Sequence, residues 1–491
     1  MAAIDAQVAA RLRAVPTNPR RIHLIGIGGT AMAALAGMLL EQGYQVSGSD
    51  AALYEPTRSL LARLGIPAHE GYAAQNLASA PDLVIVGNVV TRANPEAVAL
   101  MQRGLPYLSM PEALWHFFLR HRRPLMVCGT HGKTTSTSML AQVLIAAGRD
   151  PSVLIGGLSR NLGANYRLGQ GPDFVIEGDE YDSAFFDKRP KFIHYRPAGA
   201  ILTSLEFDHA DIYRDLDHVK QAFAAMVAAQ EPEAVLVVCA DQPDALEVSE
   251  GSRARRISYG LRDGEYRAAE IVPGATATRF DVMREGHALA RGLSVPAWGL
   301  MNVANALGVY ALLDAIGLAR DEIAAGLASF AGVVRRQEVV GEVDGITVVD
   351  DFAHHPSAIA ATLVAVGARF AGRRILAAFE PRSNTSRRSV FQNQFAQAFD
   401  GAARVYLAPV YFKENDPIAP DQRLEIDRLA RDISRRGLRA LACASNDEVL
   451  ARIEEDVRSG DVVLVMSNGP FGNLKERLLE HLRGRARQSA I

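Results

Sequence analysis

The stretch Val127-Cys128-Gly129-Thr130-His131-Gly132-Lys133-Thr134-Thr135 joins an apolar run, 124–128, to a segment with helical apolar periodicity, 135–147. Glycines punctuate the turn between them, which ends in Lys133-Thr134. This layout predicts a phosphate cradle at a helix N-terminus, with Lys133 on the phosphates and the Thr134 hydroxyl on Mg²⁺. Val127 stands where the usual G-x-x-x-x-G-K-T pattern has its first glycine. The turn therefore predicts a shortened P-loop that binds a nucleoside triphosphate.

The bulk composition narrows the class of protein. A chain of 491 residues is too long for one hydrophobic core, and this length predicts about three domains. The composition, 48% hydrophobic and 22% charged residues, is that of a globular protein. The net charge of −2 gives no overall electrostatic attraction to nucleic acid or to an anionic membrane. No apolar run is long enough to span a bilayer, and residues 1–20 lack the apolar core of a signal peptide. We expect a cytoplasmic protein with a loose N-terminal extension and three buried free thiols, Cys128, Cys239 and Cys443.

Apolar runs alternate with helical stretches along the whole chain. This rhythm predicts an α/β fold of three domains, each with a mainly parallel sheet flanked by helices. The predicted parts are an extension at 1–20, a Rossmann-like domain at 21–121, a central P-loop ATPase domain at 122–331 and a Rossmann-like C-terminal domain at 332–491. The polar segment 121–124 is the predicted linker between the first two domains. The main predicted strands are 22–25, 44–47, 83–86, 124–128, 174–177, 200–203, 234–239, 346–349, 375–379, 405–407 and 462–466.

Titratable residues follow several of these strands. The carboxylates of Glu177-Gly178-Asp179-Glu180 are suitable ligands for Mg²⁺. Alone, three acids in a row would indicate an ordinary acidic loop. The P-loop in the same segment favours a Mg²⁺ site instead. His209, which follows Asp208, is either a second metal ligand or a capped loop histidine. The run Asp350-Asp351-Phe352-Ala353-His354-His355-Pro356 gathers acids and imidazoles that would be costly to bury without a function.

Two further motifs leave their ligands open. One is the segment Glu380-Pro381-Arg382-Ser383-Asn384-Thr385. Its arginine, hydroxyls and amide could bind the carboxylates of a peptide, or the segment is an ordinary polar turn. Glycines at 26–29 with Asp50 downstream predict a pyrophosphate at a helix N-terminus and a ribose beside the acid. NAD, FAD and a UDP-sugar all satisfy that pattern.

Together these motifs resemble the Mur ligases, the ATP-dependent amide-forming enzymes of peptidoglycan synthesis. The matching phrases are Gly129–Thr135, Glu177–Glu180, Asp208-His209, Asn302 with Asn305, Arg335-Arg336 and Asp350–Pro356, and the match runs from Ile22 to about Leu482. Four phrases are more similar to the branch of the family that attaches a ready-made tripeptide than to the branch that attaches free L-alanine. They are Glu180–Arg189, Leu205–Asp211, Glu380–Thr385 and Met466–Gly469.

The resemblance implies a reaction and a set of site residues. UDP-N-acetylmuramate, ATP with Mg²⁺, and L-alanyl-γ-D-glutamyl-meso-diaminopimelate would bind to the first, second and third domains, and an acyl phosphate would link the two chemical steps. UDP-sugar contacts would come from Gly28, Gly29, Thr30 and Asp50, and acceptor contacts from Arg382, Ser383, Asn384 and Thr385. ATP contacts would come from Gly129, Thr130, His131, Gly132, Lys133, Thr134, Thr135, Asn302, Asn305, Arg336 and Asp351. Thr134, Glu177 and His209 would hold Mg²⁺, and Lys133, Glu177, His209 and His354 would serve catalysis.

Alternative functions remain open at this point. The acceptor could be free L-alanine, since only the C-terminal domain separates the two branches. A nicotinamide-dependent dehydrogenase built on residues 26–50 would leave the P-loop unexplained, and a non-catalytic nucleotide-binding module would leave the acid and histidine clusters unexplained. The resemblance implies small-molecule substrates, without nucleic acid or membrane insertion, and it leaves the oligomeric state open.

Overall fold

The computed structural model describes residues 6–412 and 418–489. The chain begins there with helix α1 (Ala6–Ala14), which packs on the first domain through the buried Val8. Arg11 on this helix places Nη2 2.7 Å from Oε1 of Glu112 and 3.5 Å from Oδ2 of Asp187. The expectation of a loose extension was therefore wrong for residues 6–14, because buried ion pairs and apolar contacts hold the helix; residues 1–5 of that extension lie outside the described part.

The first sheet has five parallel strands with helices between them. Its elements are β1 (Arg21–Ile25), α2 (Thr30–Glu41), β2 (Gln45–Asp50), α3 (Thr57–Arg63), β3 (Ala68–Glu70), β4 (Leu83–Val86), α4 (Pro95–Arg103), β5 (Tyr107–Ser109) and α5 (Met110–Phe117). The strand order is β3-β2-β1-β4-β5. All four residues of β4 are buried, as expected for a parallel strand covered on both faces.

The central sheet has ten strands in the order β17-β16-β15-β14-β13-β12-β6-β9-β7-β8, and a separate hairpin joins β10 to β11. Its elements are β6 (Arg123–Cys128), α6 (Lys133–Ala146), β7 (Ser152–Ser159), β8 (Ala164–Arg167), β9 (Asp173–Gly178), β10 (Asp182–Ala184), β11 (Asp187–Pro190), β12 (Gly199–Leu202), α7 (Leu216–Ala228), β13 (Val235–Cys239), α8 (Pro243–Ser249), β14 (Arg255–Gly260), β15 (Tyr266–Pro273), β16 (Thr278–Arg284), β17 (His287–Val295), α9 (Leu300–Ala315) and α10 (Arg320–Ala328).

Two features of this sheet differ from the sequence prediction. β6 begins at Arg123, one residue before the predicted strand 124–128, so the predicted linker 121–124 overlaps this strand; Arg123 is held there by Asp173 on the neighbouring strand, 2.6 Å away. The strands β15, β16 and β17, which extend one edge of the sheet through antiparallel pairs, were not predicted, and neither were β7, β8 and β14. The parallel core is as expected: β6 pairs with both β9 and β12, so the residues that follow these three strands meet at one edge.

The C-terminal sheet has six strands in the order β18-β19-β23-β20-β21-β22, all parallel except β18. Its elements are β18 (Glu338–Val343), β19 (Ile346–Asp351), α11 (Pro356–Arg369), β20 (Ile375–Phe379), α12 (Gln392–Ala398), β21 (Arg404–Leu407), α13 (Ile426–Arg435), β22 (Arg439–Ala442), α14 (Asn446–Asp456), β23 (Val462–Met466) and α15 (Leu474–Ser489).

Hydrophobic packing connects the first domain to the central one. One cluster of buried side chains includes Leu35 of α2 and Phe174 of β9, and the rings of Phe118 and Phe174 lie 6.4 Å apart. The C-terminal sheet has its own clusters, one on each face. Three mainly parallel sheets flanked by helices confirm the predicted fold class, whereas the domain limits at 1–20, 21–121, 122–331 and 332–491 stay predictions.

Two smaller expectations can be compared with the fold. The three cysteines are free and buried, as predicted. Across residues 6–412 and 418–489, each helix is too short or too polar to cross a bilayer.

Candidate active site

The turn between β6 and α6 has the shape that a phosphate cradle requires. Gly129 and Gly132 have φ angles of +129° and +79°, which side-chain-bearing residues rarely adopt. A Cβ atom at Gly129 would overlap the hydroxyl of Thr203, and one at Gly132 would overlap the amide of Asn305. The helix begins at Lys133, so its first N–H groups point into the turn.

The segment after β12 holds this loop in place. Ser204 accepts from the Thr130 N–H through its carbonyl and from the His131 N–H through its hydroxyl, both at 2.9 Å. Thr203 donates its hydroxyl to the carbonyl of Cys128 at 3.1 Å. Sequence reasoning assigned no role to Ser204, and its only signal was its position just beyond a predicted strand.

Lys133 and His209 share one buried carboxylate. Nζ of Lys133 lies 3.0 and 2.9 Å from the two carboxylate oxygens of Glu180, and Nε2 of His209 lies 3.0 Å from Oε1. Burial favours a higher pKa for Glu180, but Lys133 and His209 lower it to about 2. Burial favours a lower pKa for His209, but Glu180 and Asp208 raise it to about 9, so the imidazole is protonated at neutral pH. Glu180 is thus a site residue that belongs to a motif recognised in the sequence, although no role was predicted for it.

Thr134 and Glu177 form the candidate Mg²⁺ site. The Thr134 hydroxyl donates to Oε1 of Glu177 at 2.9 Å, and the Gly156 N–H donates to Oε2 at 2.7 Å. Burial and the charge of Asp179 raise the pKa of Glu177, while Lys133 opposes the rise. A hydroxyl and a carboxylate at this separation are hard oxygen donors that fit Mg²⁺. His209 is bound to Glu180 instead, and it would have to lose its proton to ligate a metal.

A chain of amide side chains leads from the P-loop to the C-terminal domain. Nδ2 of Asn305 donates to Oδ1 of Asn302 at 3.1 Å, and Nδ2 of Asn302 donates to Oε1 of Gln337 at 3.1 Å. The N–H of Gln337 donates in turn to Asp351 at 2.7 Å. The structure therefore joins three residues predicted to contact ATP, and it adds Gln337, which the sequence did not single out.

Arg336 and Asp351 lie close to this chain. The Arg336 guanidinium lies 4.8 Å from the centroid of the Phe352 ring. Burial lowers the pKa of Arg336, and the charges of Asp351 and Glu177 oppose that change. Burial raises the pKa of Asp351, which Arg336 and two backbone N–H donors oppose. The charge of Glu177 acts on Arg336, so this guanidinium lies near the candidate Mg²⁺ site of the central domain.

A second connection joins the domains through Ser357. Its hydroxyl donates to Oε2 of Glu206 at 2.7 Å and lies 3.0 Å from Nε2 of His131 and 2.7 Å from Nδ1 of His355. Burial raises the pKa of Glu206, but His131 lowers it overall, to about 2. Burial and the neighbouring His131 lower the pKa of His355 to about 4. Ser357 and Glu206 were not predicted as site residues, and His355 was quoted only within the run Asp350–Pro356, because the contacts of Ser357 with Glu206 and His131 join residues more than 150 positions apart.

The predicted acceptor turn lies against the loop of His209. The N–H of Ala210 donates to the Thr385 hydroxyl at 3.3 Å, and Nδ2 of Asn384 donates to Asp211 at 2.8 Å. Nε2 of His354 lies 3.9 Å from Oδ2 of Asp208, and burial lowers the pKa of this imidazole.

The other two residues of this turn have partners within the C-terminal domain. Ser383 is bonded to the Ser386 hydroxyl at 2.8 Å, and Arg382 lies 3.7 Å from the centroid of the Tyr411 ring.

The predicted UDP-sugar residues meet at the ends of β1 and β2. The Gly28 N–H donates to Oδ2 of Asp50 at 2.8 Å, and the Tyr72 hydroxyl donates to Oδ1 at 3.2 Å. Gly29 caps α2, and Thr30 is the first residue of that helix. A carboxylate and a helix N-terminus therefore lie side by side, as a ribose and a pyrophosphate require.

Comparison with known proteins places this geometry in a family. Three domain models match in order along the chain: "Mur ligase family, catalytic domain" at 21–122, "Mur ligase middle domain" at 127–313 and "Mur ligase, glutamate ligase domain" at 335–469. A Haemophilus influenzae protein named UDP-N-acetylmuramate–L-alanyl-γ-D-glutamyl-meso-2,6-diaminoheptandioate ligase is 38% identical over 94% of this chain and 99% of its own. The chain belongs to the Mur ligase family.

Relatives of this Mur ligase include more than one type of enzyme. A UDP-N-acetylmuramate–L-alanine ligase from Geotalea daltonii is 34% identical over 94% of this chain and 98% of its own. The crystal structure of a murein peptide ligase from Psychrobacter arcticus is 34% identical, with a TM-score of 0.69 and coverage of 94% of this chain and 98% of that one. The dehydrogenase alternative gains no support from these matches.

Proposed function

We propose that this Mur ligase uses ATP to join UDP-N-acetylmuramate to L-alanyl-γ-D-glutamyl-meso-diaminopimelate through an amide bond. The observation that carries the proposal is the contact of Ala210 with Thr385 and of Asp211 with Asn384. This contact sets the polar turn of the C-terminal domain directly against the loop that carries His209. The Haemophilus influenzae relative supports the choice of acceptor, since its name gives the same tripeptide.

Phosphate binding follows from the loop geometry. The N–H groups at the start of α6 and the Lys133 ammonium would face the β- and γ-phosphates. Burial favours a lower pKa for Lys133, but Glu180 raises it above its ordinary value, so the side chain remains a cation. Glu180 would hold this cation in position, and Thr134 with Glu177 would hold Mg²⁺. When bound, Mg²⁺ supplies further neutralisation of phosphate charge.

The chemistry would proceed in two displacements. A lactoyl carboxylate oxygen of UDP-N-acetylmuramate attacks the γ-phosphorus, ADP leaves, and an acyl phosphate forms. The α-amine of the peptide then attacks the acyl carbon, and inorganic phosphate leaves as the amide bond forms. Residues from all three domains would exclude water, which would otherwise hydrolyse the acyl phosphate.

His354 is the proposed acceptor of the amine proton. Its Nδ1 lies 3.1 Å from the carbonyl oxygen of Phe352, so an N–H there leaves the lone pair on Nε2, beside Asp208. Burial lowers the pKa of the imidazole, which is therefore neutral and able to take a proton at neutral pH.

An acceptor screen tests this function. Purified protein with ATP, Mg²⁺ and UDP-N-acetylmuramate should release phosphate with the tripeptide and scarcely with free L-alanine. Preference for L-alanine would instead support the second candidate, a UDP-N-acetylmuramate–L-alanine ligase, which the similarity to the Geotalea protein favours. Both reactions use nucleotide substrates of the cytoplasm, where we expect the protein to act, and the tripeptide reaction would serve peptidoglycan recycling.

A further inference from the structure

Two imidazoles and a carboxylate meet where the P-loop, the loop after β12 and the start of α11 come together. Oε2 of Glu206 lies 3.5 Å from Nε2 of His131 and 3.4 Å from Nδ1 of His355. The three ligand atoms of this cluster lie within 4.8 Å of one another. The candidate Mg²⁺ site uses other residues, Thr134 and Glu177.

The spacing of the cluster matches a four-coordinate metal site. Four ligands placed tetrahedrally around Zn²⁺, at about 2.0–2.1 Å from the ion, are roughly 3.3–3.4 Å apart. The two distances from Glu206 to the imidazoles are close to this value. The Ser357 hydroxyl lies 2.7 Å from Glu206 and His355 and 3.0 Å from His131, so it caps the other three atoms. The four atoms therefore surround a position for one ion, which a small outward shift of the serine would open.

The hydrogen bonds within the cluster leave more acceptors than donors. Nε2 of His355 lies 3.2 Å from the carbonyl oxygen of Phe207, which can only accept, so the hydrogen of the neutral imidazole is on Nε2. Nδ1 then directs its lone pair at the Ser357 hydroxyl, whose single hydrogen is donated to Glu206. Two lone pairs thus face each other across 2.7 Å, and a bound cation would replace their repulsion by coordination. A backbone carbonyl on the far ring nitrogen is also the usual second partner of a metal-bound histidine.

The charges around the cluster also favour a cation. Within residues 6–412 and 418–489, the ion-pair partners of Glu206 are the two imidazoles, and neither a lysine nor an arginine pairs with its carboxylate. A second group with metal-ligand spacing consists of Glu112, Asp187 and His194. There the Arg11 guanidinium already lies 2.7 Å from Glu112 and 3.5 Å from Asp187. The chain itself thus supplies a cation to the second group, whereas the cluster of Glu206 depends on one from solution.

We propose that His131, Glu206 and His355, with the Ser357 hydroxyl or a water molecule as fourth ligand, form a binding site for Zn²⁺. Two imidazoles and one carboxylate suit Zn²⁺, whereas Mg²⁺ prefers oxygen ligands in octahedral geometry. His131 belongs to the P-loop and Glu206 to the loop after β12, while His355 caps α11 of the C-terminal domain. A bound ion would therefore fasten the C-terminal domain to the central domain beside the phosphate cradle.

Zinc titration of the full chain tests this site. The protein is freed of metal with a chelator, dialysed, and titrated with Zn²⁺ in excess Mg²⁺ and without nucleotide, since ATP would itself bind the ion. A chromophoric chelator that competes for Zn²⁺ reports the affinity. We expect a single ion to bind with micromolar or tighter affinity. Because the ion binds the folded chain, the thermal midpoint should rise with the Zn²⁺ concentration.

Substitutions identify the ligands. His355→Gln and Glu206→Gln each remove one ligand and keep a side chain of similar size. Each should weaken Zn²⁺ binding at least about tenfold and reduce the rise in thermal midpoint. The controls are His194→Gln, in the group that Arg11 neutralises, and Glu177→Gln, at the candidate Mg²⁺ site. Both controls should keep the wild-type affinity for Zn²⁺, and thermal unfolding without Zn²⁺ shows whether each variant is folded.

Cobalt provides a second measurement. Co²⁺ in a four-coordinate site absorbs visible light more strongly than octahedral Co²⁺, so this absorption should appear in the wild type and be lost in His355→Gln. A wild-type protein that binds no Zn²⁺ at micromolar concentrations would overturn the proposal. An unchanged affinity in either folded ligand variant would also overturn it. Loss of binding in Glu177→Gln or His194→Gln would place the ion elsewhere and contradict the proposed site.

Discussion

The imidazole of His131, in the P-loop, lies 3.0 Å from the hydroxyl of Ser357, the second residue of α11 in the C-terminal domain. The same hydroxyl donates to Glu206 of the central domain at 2.7 Å. The loop that would hold phosphate is thus bonded to the domain that would hold the acceptor. The position of one domain can therefore influence the geometry of the other site.

Replacement of this hydroxyl should weaken catalysis more than nucleotide binding. In Ser357→Ala the Glu206 carboxylate and His131 lose their shared partner, and hydrogen bonds to charged groups contribute about 1.5–3 kcal/mol each. We expect kcat to fall by roughly tenfold or more while the KM for ATP changes little. Ser434→Ala is the matched control, since its hydroxyl, on α13, donates to the carbonyl of Ala430 within the same helix. Equal kinetics for the two variants would contradict a role for the Ser357 bridge.

Removal of the Glu180 carboxylate should destabilise the fold. Glu180→Ala would leave Lys133 and His209 buried without their shared anion, at a cost of about 3–5 kcal/mol in the free energy of unfolding. Urea unfolding measures this loss. Glu455→Ala breaks a surface pair with Arg452, in which both side chains are largely exposed, and should cost less than about 1 kcal/mol. Similar losses in the two variants would show that the Glu180 pair is not buried as described.

Removal of Mg²⁺ should abolish phosphate release, and Thr134→Ala should change the amount of metal required. EDTA should stop the reaction and excess Mg²⁺ should restore it. Because Thr134 supplies one of two adjacent oxygen donors, its loss should raise the Mg²⁺ concentration for half-maximal activity by about tenfold or more. Thr137→Ala, on the same helix but bonded to the carbonyl of Lys133, should leave this concentration unchanged. The same Mg²⁺ dependence in all three proteins would exclude Thr134 as a ligand.

Acid should weaken the fold through His355. Its pKa is lowered from 6.5 to about 4, chiefly by burial, so the unfolded chain binds more protons between these values. Stability from this group is therefore complete above pH 6.5 and falls by up to about 1.4 kcal/mol per pH unit as pH decreases toward 4. In His355→Gln, urea midpoints measured between pH 7 and 4.5 should depend less on pH than in the wild type. An unchanged dependence would mean that the imidazole is not held neutral.

Arg11 should contribute to stability although it lies in the first helix. Arg11→Ala removes the ion pairs with Glu112 and Asp187 and leaves the fully buried Glu112 carboxylate with its hydrogen bonds from Ser109. We expect a loss of about 3 kcal/mol, visible as a lower thermal midpoint. Arg13→Ala, at an exposed position of the same helix, should stay within about 0.5 kcal/mol of the wild type. A small effect at both positions would show that α1 is only loosely attached.

Local patterns in the sequence determined the fold class and the family. Strands 83–86, 375–379 and 462–466 were predicted with the bounds that the structure has, because an apolar run covered on both faces leaves a continuous signal. The glycines, lysine and threonine of 129–135 predicted the strand, turn and helix, since each residue type meets a backbone or charge requirement within that turn. The resemblance to Mur ligases rested on such short phrases in order, and the comparisons confirmed it.

Only the tertiary structure decided which of these residues share partners. His131 and Ser357 are 226 positions apart, and Lys133 and Glu180 are 47 apart, so no local pattern links them. The antiparallel strands β15–β17 and the docking of α1 also escaped the sequence prediction, because each depends on surfaces that meet only after the chain folds. The sequence by itself determined the chemistry available at each strand end, and the packing of the domains decided which groups act together.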